Sequence, residues 1–439
     1  MTLERAQLGL LAAVAATIPV SIFASETLLA LSVVVLVWRL ATRRARLART
    51  PLDTPLLALA VWTLLSASFA EAPVRSHEDS KKLLLYAFFY LGVEVLARDG
   101  DRERVLHSVL LGGLALSGLM VMQSLFLGYD RLSQRPSGFL GHYMSASGVT
   151  MGVLLLAVAR LAFGPRSRPR PSGFGLPLLV LAGVGAVAAA AAAGRLTVAE
   201  YFFVAALAAL AAAVALSPRP AVRAAEDALP WLVAPLAVWA LVVSQTRGAW
   251  LGAVLGLAVV AVLRAPRLLW LVGGAMAAVL VLRPAALGTR LTIGDDSSRD
   301  RYYMWQAGID MILDKPVFGQ GPGMIQDTYP RYRWPEATHP RQPHLHNNLL
   351  QVAAERGLPG LAFFLWWATA VFLAALREAR PDGGGASPPW AAVGTLASLA
   401  AVFAAGLFEY NLGDSEVLLL VLLLTAVPFA LRRGRAGTA

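Results

Sequence analysis

The chain alternates long apolar runs with short polar connectors along most of its length. Apolar stretches cover 7–23, 26–41, 52–70, 83–97, 105–127, 143–163, 177–193, 197–216, 230–246, 250–263, 268–282, 361–376, 390–408 and 417–431. A helix needs about 20 predominantly apolar residues to cross a bilayer. Leu178 to Ala193 and Val198 to Leu216 contain almost nothing polar. The pattern predicts an all-α polytopic transmembrane helical bundle of about 12–14 spans. One interval breaks the rhythm. From Arg283 to Leu361 the chain is rich in Pro, Gly, Tyr, Trp, Arg and His. A connection this long carries function or its own secondary structure. The chain therefore divides into N-terminal spans (1–283), a large partly helical loop (284–360) and C-terminal spans (361–439).

Composition agrees with a membrane protein: 57% of residues are hydrophobic and 15% charged, with a mean hydropathy of +0.61. Soluble domains average about 45–50% apolar and about 25% charged residues. The formal net charge is +11. In a soluble chain such a charge would raise nucleic-acid binding, but here the arginines sit in short connectors. Arg39–Arg49, Arg98–Arg104, Arg160–Arg170, Arg219–Arg223, Arg264–Arg267, Arg377–Arg380 and Arg432–Arg435 alternate with connectors poor in basic residues. The positive-inside bias then puts both termini in the cytoplasm and the 283–361 loop outside it. No nucleic-acid partner is expected. The first apolar run follows Met1–Gln7 without a convincing small-residue cleavage site and reads as a retained span. Cysteine is absent, which excludes disulfides, thiolate metal sites and cysteine nucleophiles.

The large loop holds most of the chemistry. Ser297 and Asp300 have capping-box spacing, predicting a helix that runs to about Asp314 and stops before Pro316. Arg301, Trp305, Gly308 and Ile312 share one stripe of it, while Arg299 points to solvent. An arginine on an apolar face needs an anion or a carboxylate partner, and anion binding is the favoured reading of Arg301. Phe318-Gly319-Gln320-Gly321-Pro322-Gly323 follows a helix rather than a strand and contains Pro322, so it reads as a tight turn, not a nucleotide fingerprint.

His346 to Gly360 reads as a short amphipathic interfacial helix stopped by Gly357 and Pro359, with the next span starting at Leu361. His346 stands at its start. Imidazole is the side chain suited to proton transfer near neutral pH, although on the residues alone capping by His346 and Asn347 is the simpler reading. A metal held by His339, His344 and His346 with Asp327 or Glu336 is disfavoured by Pro340 and Pro343, and no catalytic metal or other cofactor is expected. Asp99-Gly100-Asp101 reads as a charged turn. Glu355 is read as a partner for Arg356. Arg247, in Ser244-Gln245-Thr246-Arg247-Gly248, lies between two apolar runs with almost no loop to hold it in water. An ionisable residue at that depth is a functional candidate. Arg135 and His142 belong to the same face.

Together these elements resemble the O-antigen ligase family of bacterial envelope glycosyltransferases. The resemblance rests on H-N-x9-G-x-x-G from His346 to Gly360, Thr246-Arg247-Gly248, Arg301-x3-Trp305 and Pro316-x2-Gly319-x-Gly321-x-Gly323. It implies a multi-pass protein of the bacterial inner membrane whose active site faces the periplasm. The implied donor is an undecaprenyl-diphosphate-linked glycan, transferred with inversion and without a metal to lipid A–core. His346 would be the catalytic histidine, and Arg247 and Arg301 would hold the diphosphate. Arg135, His142, Asn347 and Trp305 are further candidates for substrate binding. The family's ligases are drawn with twelve spans; the surplus here falls around Gly173–Leu216.

Other acceptors define other enzymes with the same donor: an O-antigen or exopolysaccharide polymerase, or a protein O-oligosaccharyltransferase. A lipid-linked glycan transporter is the reading from another class. It would place charge at mid-membrane, whereas Glu94 and Glu200 are nearly the only carboxylates inside the apolar runs, and no inverted repeat is evident.

Overall fold

The computed structural model describes residues 2–129, 134–165, 171–193, 196–217, 220–282, 296–380 and 387–436. The start of the large loop (283–295), the Ser297 cap side chain, parts of the 164–175 and 380–389 linkers and several of their arginines lie outside the described residues or side chains. The chain is a helical bundle. Its helices are α1 (Leu3–Thr17), α2 (Ile22–Ala41), α3 (Asp53–Ser68), α4 (Pro73–Asp79), α5 (Ala87–Val95), α6 (Asp99–Phe126) and α7 (Tyr143–Phe163). Then follow α8 (Gly175–Ala192), α9 (Leu196–Leu216), α10 (Pro220–Ser244), α11 (Arg247–Arg264) and α12 (Leu269–Leu282). The loop contributes α13 (Asp296–Asp314) and α14 (Ile325–Tyr332), and α15 (Asn348–Ala379), α16 (Trp390–Ala405) and α17 (Ser415–Ala436) complete the chain.

Every apolar stretch of the sequence falls on one of these helices. Nine helices among the described residues are long and apolar enough to cross a membrane; α3 and α16 are shorter apolar helices. The Ala-rich region is two separate helices, α8 and α9, packed on each other and on α6 and α1. Centrally, α6, α7 and α17 are mostly buried, whereas α2, α8 and α9 turn most of their side chains outward.

Two ends of the bundle differ in chemistry. At one end ion pairs tie the helices: Arg39 to Glu94 at 2.8 Å, Arg98 to Glu4 at 3.0 Å, Arg160 to Asp227 at 2.9 Å and Arg432 to Glu378 at 2.8 Å. These are the arginines of the basic connectors. The opposite end carries α13, α14 and the loops that contact them. There Met304, Ala307, Met311, Ile325, Tyr329, Leu345 and Ala354 form a small separate core. The fully buried face of α13 is thus Met304, Ala307, Gly308 and Met311. Arg301, Trp305 and Ile312 flank that face, half-buried, and Arg299 is exposed.

Two packing devices place the residues at this end. Gly248, Gly252 and Gly256 recur every four residues on α11 and face the carbonyls of Ala405, Ala401 and Ala397 on α16. Small residues at that spacing let two backbones approach in lipid, where packing rather than the hydrophobic effect holds helices together. The approach sets Arg247, the first residue of α11, beside the loop that follows α16. The second device is the break in α15. Gly357 has φ +67° and ψ −178°, so the helix from Asn348 ends there and a second one continues to Ala379. The orphan carbonyls at the break are filled by the glycine-rich turn: Gln320 N donates to Ala354 O at 2.8 Å and Gly321 N to Glu355 O at 2.9 Å. Leu358 N in turn donates to Pro316 O at 2.8 Å. The turn's N–H groups therefore serve a helix end.

Candidate active site

His346 is held in a left-handed backbone conformation, φ +49°, one residue before the helix cap. Asn347 takes the cap: its Oδ1 accepts from Leu349 N and Leu350 N at 2.9 and 3.0 Å, and its Nδ2 donates to Leu407 O at 2.9 Å. Its side chain thus caps the helix and ties it to the loop at Leu407. His346 is released from capping and turns to the loop between α16 and α17. There its Nδ1 lies 2.8 Å from Glu409 Oε1.

Glu409 has two partners. Its Oε2 lies 3.6 Å from Arg301 Nη2, so one half-buried carboxylate bridges the histidine and the arginine. Burial alone would raise its pKa; the hydrogen bond to His346 and the charges of His346, His344 and Arg301 outweigh this and hold it below the ordinary carboxylate value. His344 packs against His346 with ring centroids 4.3 Å apart. Burial, aided by His346 and other nearby cations, pushes the His344 imidazole down to about 4.

Arg247, Arg301, Arg135 and Glu409 line one small cavity of about 70 Å³, with Tyr143, Gln245 and Asn411 among the other walls. The Arg135 guanidinium lies 3.6 Å from the centroid of the Tyr143 ring, which steadies it. Arg247 and Arg301 also line an adjoining groove of about 450 Å³, whose other walls are Gly248, Leu251, Tyr302, Trp305 and Phe408. Trp305 Nε1 is buried with no protein partner. His142 is exposed beside Tyr143 and is not part of either wall.

A third cavity, of about 400 Å³, opens on the far side of His344 and Tyr410. Arg75, Lys82 and Arg356 line it with Asp79, Glu355 and Asp414, above Leu83, Phe364 and Trp367. Glu355 is a structural group here: it accepts from Gly323 N at 3.1 Å and Gln351 Nε2 at 2.8 Å and pairs with Arg356 at 2.5 Å.

The seven site residues named from the sequence divide in the structure. Arg247, Arg301 and Arg135 converge on one cavity, Trp305 borders its apolar extension, and His346 reaches it through Glu409. His339 is drawn away, 2.9 Å from Asp300, so the imagined His339–His344–His346 set is not assembled. Asp300 accepts from Thr338 N at 2.9 Å as well. Sequence reasoning missed Glu409; its signal was a carboxylate in the short Phe408-Glu409-Tyr410 connector between two apolar runs. His344, His346 and Glu409 form the one group among the described residues whose ligand atoms could hold a metal, all within 4.8 Å of one another.

Residues 232–365 match the family model described as O-antigen ligase. The match supports the O-antigen ligase family. Its extent includes Arg247, Arg301, Trp305 and His346, while Arg135 and Glu409 complete the site from outside it. The O-antigen ligase match marks a membrane enzyme of glycosyl transfer, of ligase or polymerase type. No curated protein matches the chain significantly.

Proposed function

We propose that the protein is an inverting glycosyltransferase that moves a glycan from undecaprenyl diphosphate to lipid A–core on the periplasmic face of the bacterial inner membrane. The observation that carries this reading is the bridge from His346 through Glu409 to Arg301, which couples a proton acceptor to an anion site. Arg135, Arg247 and Arg301 bring three positive charges against the one of Glu409 at the small cavity. Guanidinium groups gathered at one cavity suit the oxygens of a diphosphate. The adjoining groove, walled by Leu251, Tyr302, Trp305 and Phe408 beside Arg247 and Arg301, offers an apolar path suited to a polyprenyl chain next to a charged headgroup.

Glu409 accepts the Nδ1–H of His346, which leaves Nε2 as the basic nitrogen and stabilises the imidazolium once formed. His346 Nε2 takes the proton of the acceptor hydroxyl as its oxygen bonds to the anomeric carbon. The bond from that carbon to the diphosphate breaks, and the lipid diphosphate leaves with the electron pair. Arg247 and Arg301 stabilise the charge that develops there, with fixed donors in a poorly hydrated pocket doing the work of a cation. The third cavity, lined by both basic and acidic side chains, supports a polar acceptor approaching from the His344 side. The basic ion-paired end of the bundle supports a cytoplasmic location for both termini.

The test is reconstitution with an undecaprenyl-diphosphate glycan, offering lipid A–core, a second glycan-lipid and a peptide in parallel. Transfer to lipid A–core alone supports the ligase. Transfer to the glycan-lipid alone makes the protein a polymerase, and transfer to none rejects glycosyl transfer with this donor.

A further inference from the structure

The His344–His346–Glu409 group has a property that hydrogen bonding does not use. Two imidazoles and one carboxylate is a donor set that binds zinc in tetrahedral sites with the fourth position left to water. Zinc bonds of about 2.0–2.2 Å place ligand atoms roughly 3.3 Å apart. Here His346 Nδ1 and Glu409 Oε1 are 2.8 Å apart, and the ligand atoms of all three residues lie within 4.8 Å of one another. Side-chain shifts of up to about 1.5 Å would close the set. The second observation is His344 itself: its Nδ1 is buried and has no hydrogen-bond partner. A buried polar nitrogen without a partner is costly unless something binds it. The backbone supports the arrangement, since the left-handed turn at His346 sets the two rings against each other, 71° between their planes.

We propose that His344, His346 and Glu409 form a transition-metal site and that zinc bound there switches the glycosyl-transfer site off. The inhibitory half rests on the reading of His346 as the base. Metal on His346 Nδ1 forces the ring proton onto Nε2, and metal on Nε2 takes the lone pair directly. Either way the ring no longer accepts a proton from the acceptor. Glu409, drawn to the metal, also loosens its hold on Arg301. The mixed nitrogen and oxygen donors favour zinc, nickel or copper over magnesium and manganese, so the selectivity follows the general order of divalent metals.

Purified, tag-free, metal-stripped full-length protein in detergent is titrated with zinc chloride by calorimetry, and the loaded protein is measured by zinc K-edge absorption. The expected result is one zinc per chain with two imidazoles in its shell. His344→Ala should weaken that binding about 10-fold or more, while thermal unfolding checks that the variant is folded. Glu409→Gln should weaken it as well. In the reconstituted reaction zinc should abolish turnover, EDTA should restore it, and magnesium at the same concentration should have no effect. The inhibition of His344→Ala is expressed relative to its own metal-free rate and should need correspondingly more zinc. Absence of stoichiometric binding, or binding undiminished in His344→Ala, overturns the site. Full turnover by zinc-loaded protein overturns the switch. Zinc on two imidazoles in a protein that transfers glycan to no acceptor would uphold the site and reject the glycosyl-transfer reading alone.

Discussion

Glu409 Oε1 lies 2.8 Å from Nδ1 of His346, across 63 residues of sequence, and its other oxygen faces Arg301. The carboxylate fixes the ring's orientation and its tautomer at once. Glu409→Gln keeps the size of the side chain but offers the ring an amide instead of a charge. Turnover should fall about 10²-fold or more through loss of imidazolium stabilisation, with donor binding changed far less. Turnover within a factor of two of the parent would make Glu409 a structural group only.

Arg247 and Arg301 face the same small cavity from different helices. Arg→Lys at either position retains the charge but loses the planar fork that grips phosphate oxygens. Each variant should bind the lipid-diphosphate donor about 10-fold more weakly or worse, measured by competition with a labelled donor. Wild-type affinity in both would remove the diphosphate from this cavity.

Gly357 stands where α15 breaks, at φ +67° and ψ −178°, and a Cβ there would strike Val317 O. That backbone region is almost confined to glycine, at a cost of order 1–3 kcal/mol for other residues. Gly357→Ala should therefore destabilise the protein by about 3 kcal/mol or more once the clash is added, read from thermal unfolding in detergent. Its activity should fall too, because the helix it ends carries the His346 turn.

The exposed loop has its own pH dependence. Arg331 donates to both oxygens of Glu71 at 2.6 and 2.7 Å, and this pairing, opposed by slight burial and aided by Lys315, lowers Glu71 to about 2. A carboxylate depressed on folding stabilises the folded state above its unfolded value near 4.5 and loses that contribution as pH falls through about 2. The pair is largely exposed and screened by solvent, so the contribution is small. Glu71→Gln should melt slightly below the parent at neutral pH and converge with it as the pH approaches 2. A constant difference across that range would show that Glu71 acts through something other than its charge.

Much of this was legible in the sequence because it is local. Hydrophobic runs marked the apolar helices, a capping box marked α13, and the Gly357 and Pro359 pair marked the break before the span at Leu361, whereas α4 and α14, short and polar, left no such signal. The Phe318–Gly323 turn was recognisable as a turn, but its use as a clamp on the end of a helix depends on Ala354 and Glu355, some thirty residues away. Glu409 was invisible for the same reason: no periodicity or motif links one carboxylate in a short connector to a histidine 63 residues earlier. Neighbouring residues also divided their roles in a way capping rules do not foresee. Asn347 serves the helix, and the positive φ at His346 frees the imidazole to face another loop.

The central claim is that His346 moves a proton for an acceptor while the arginines hold the donor. The most direct test measures donor binding and turnover on the same purified His346→Gln protein. Glutamine keeps a polar contact but cannot take a proton near neutral pH. Donor affinity should stay close to that of the parent while turnover falls about 10²–10⁴-fold. Turnover near the parent value would contradict it and leave His346 as an orienting or structural residue.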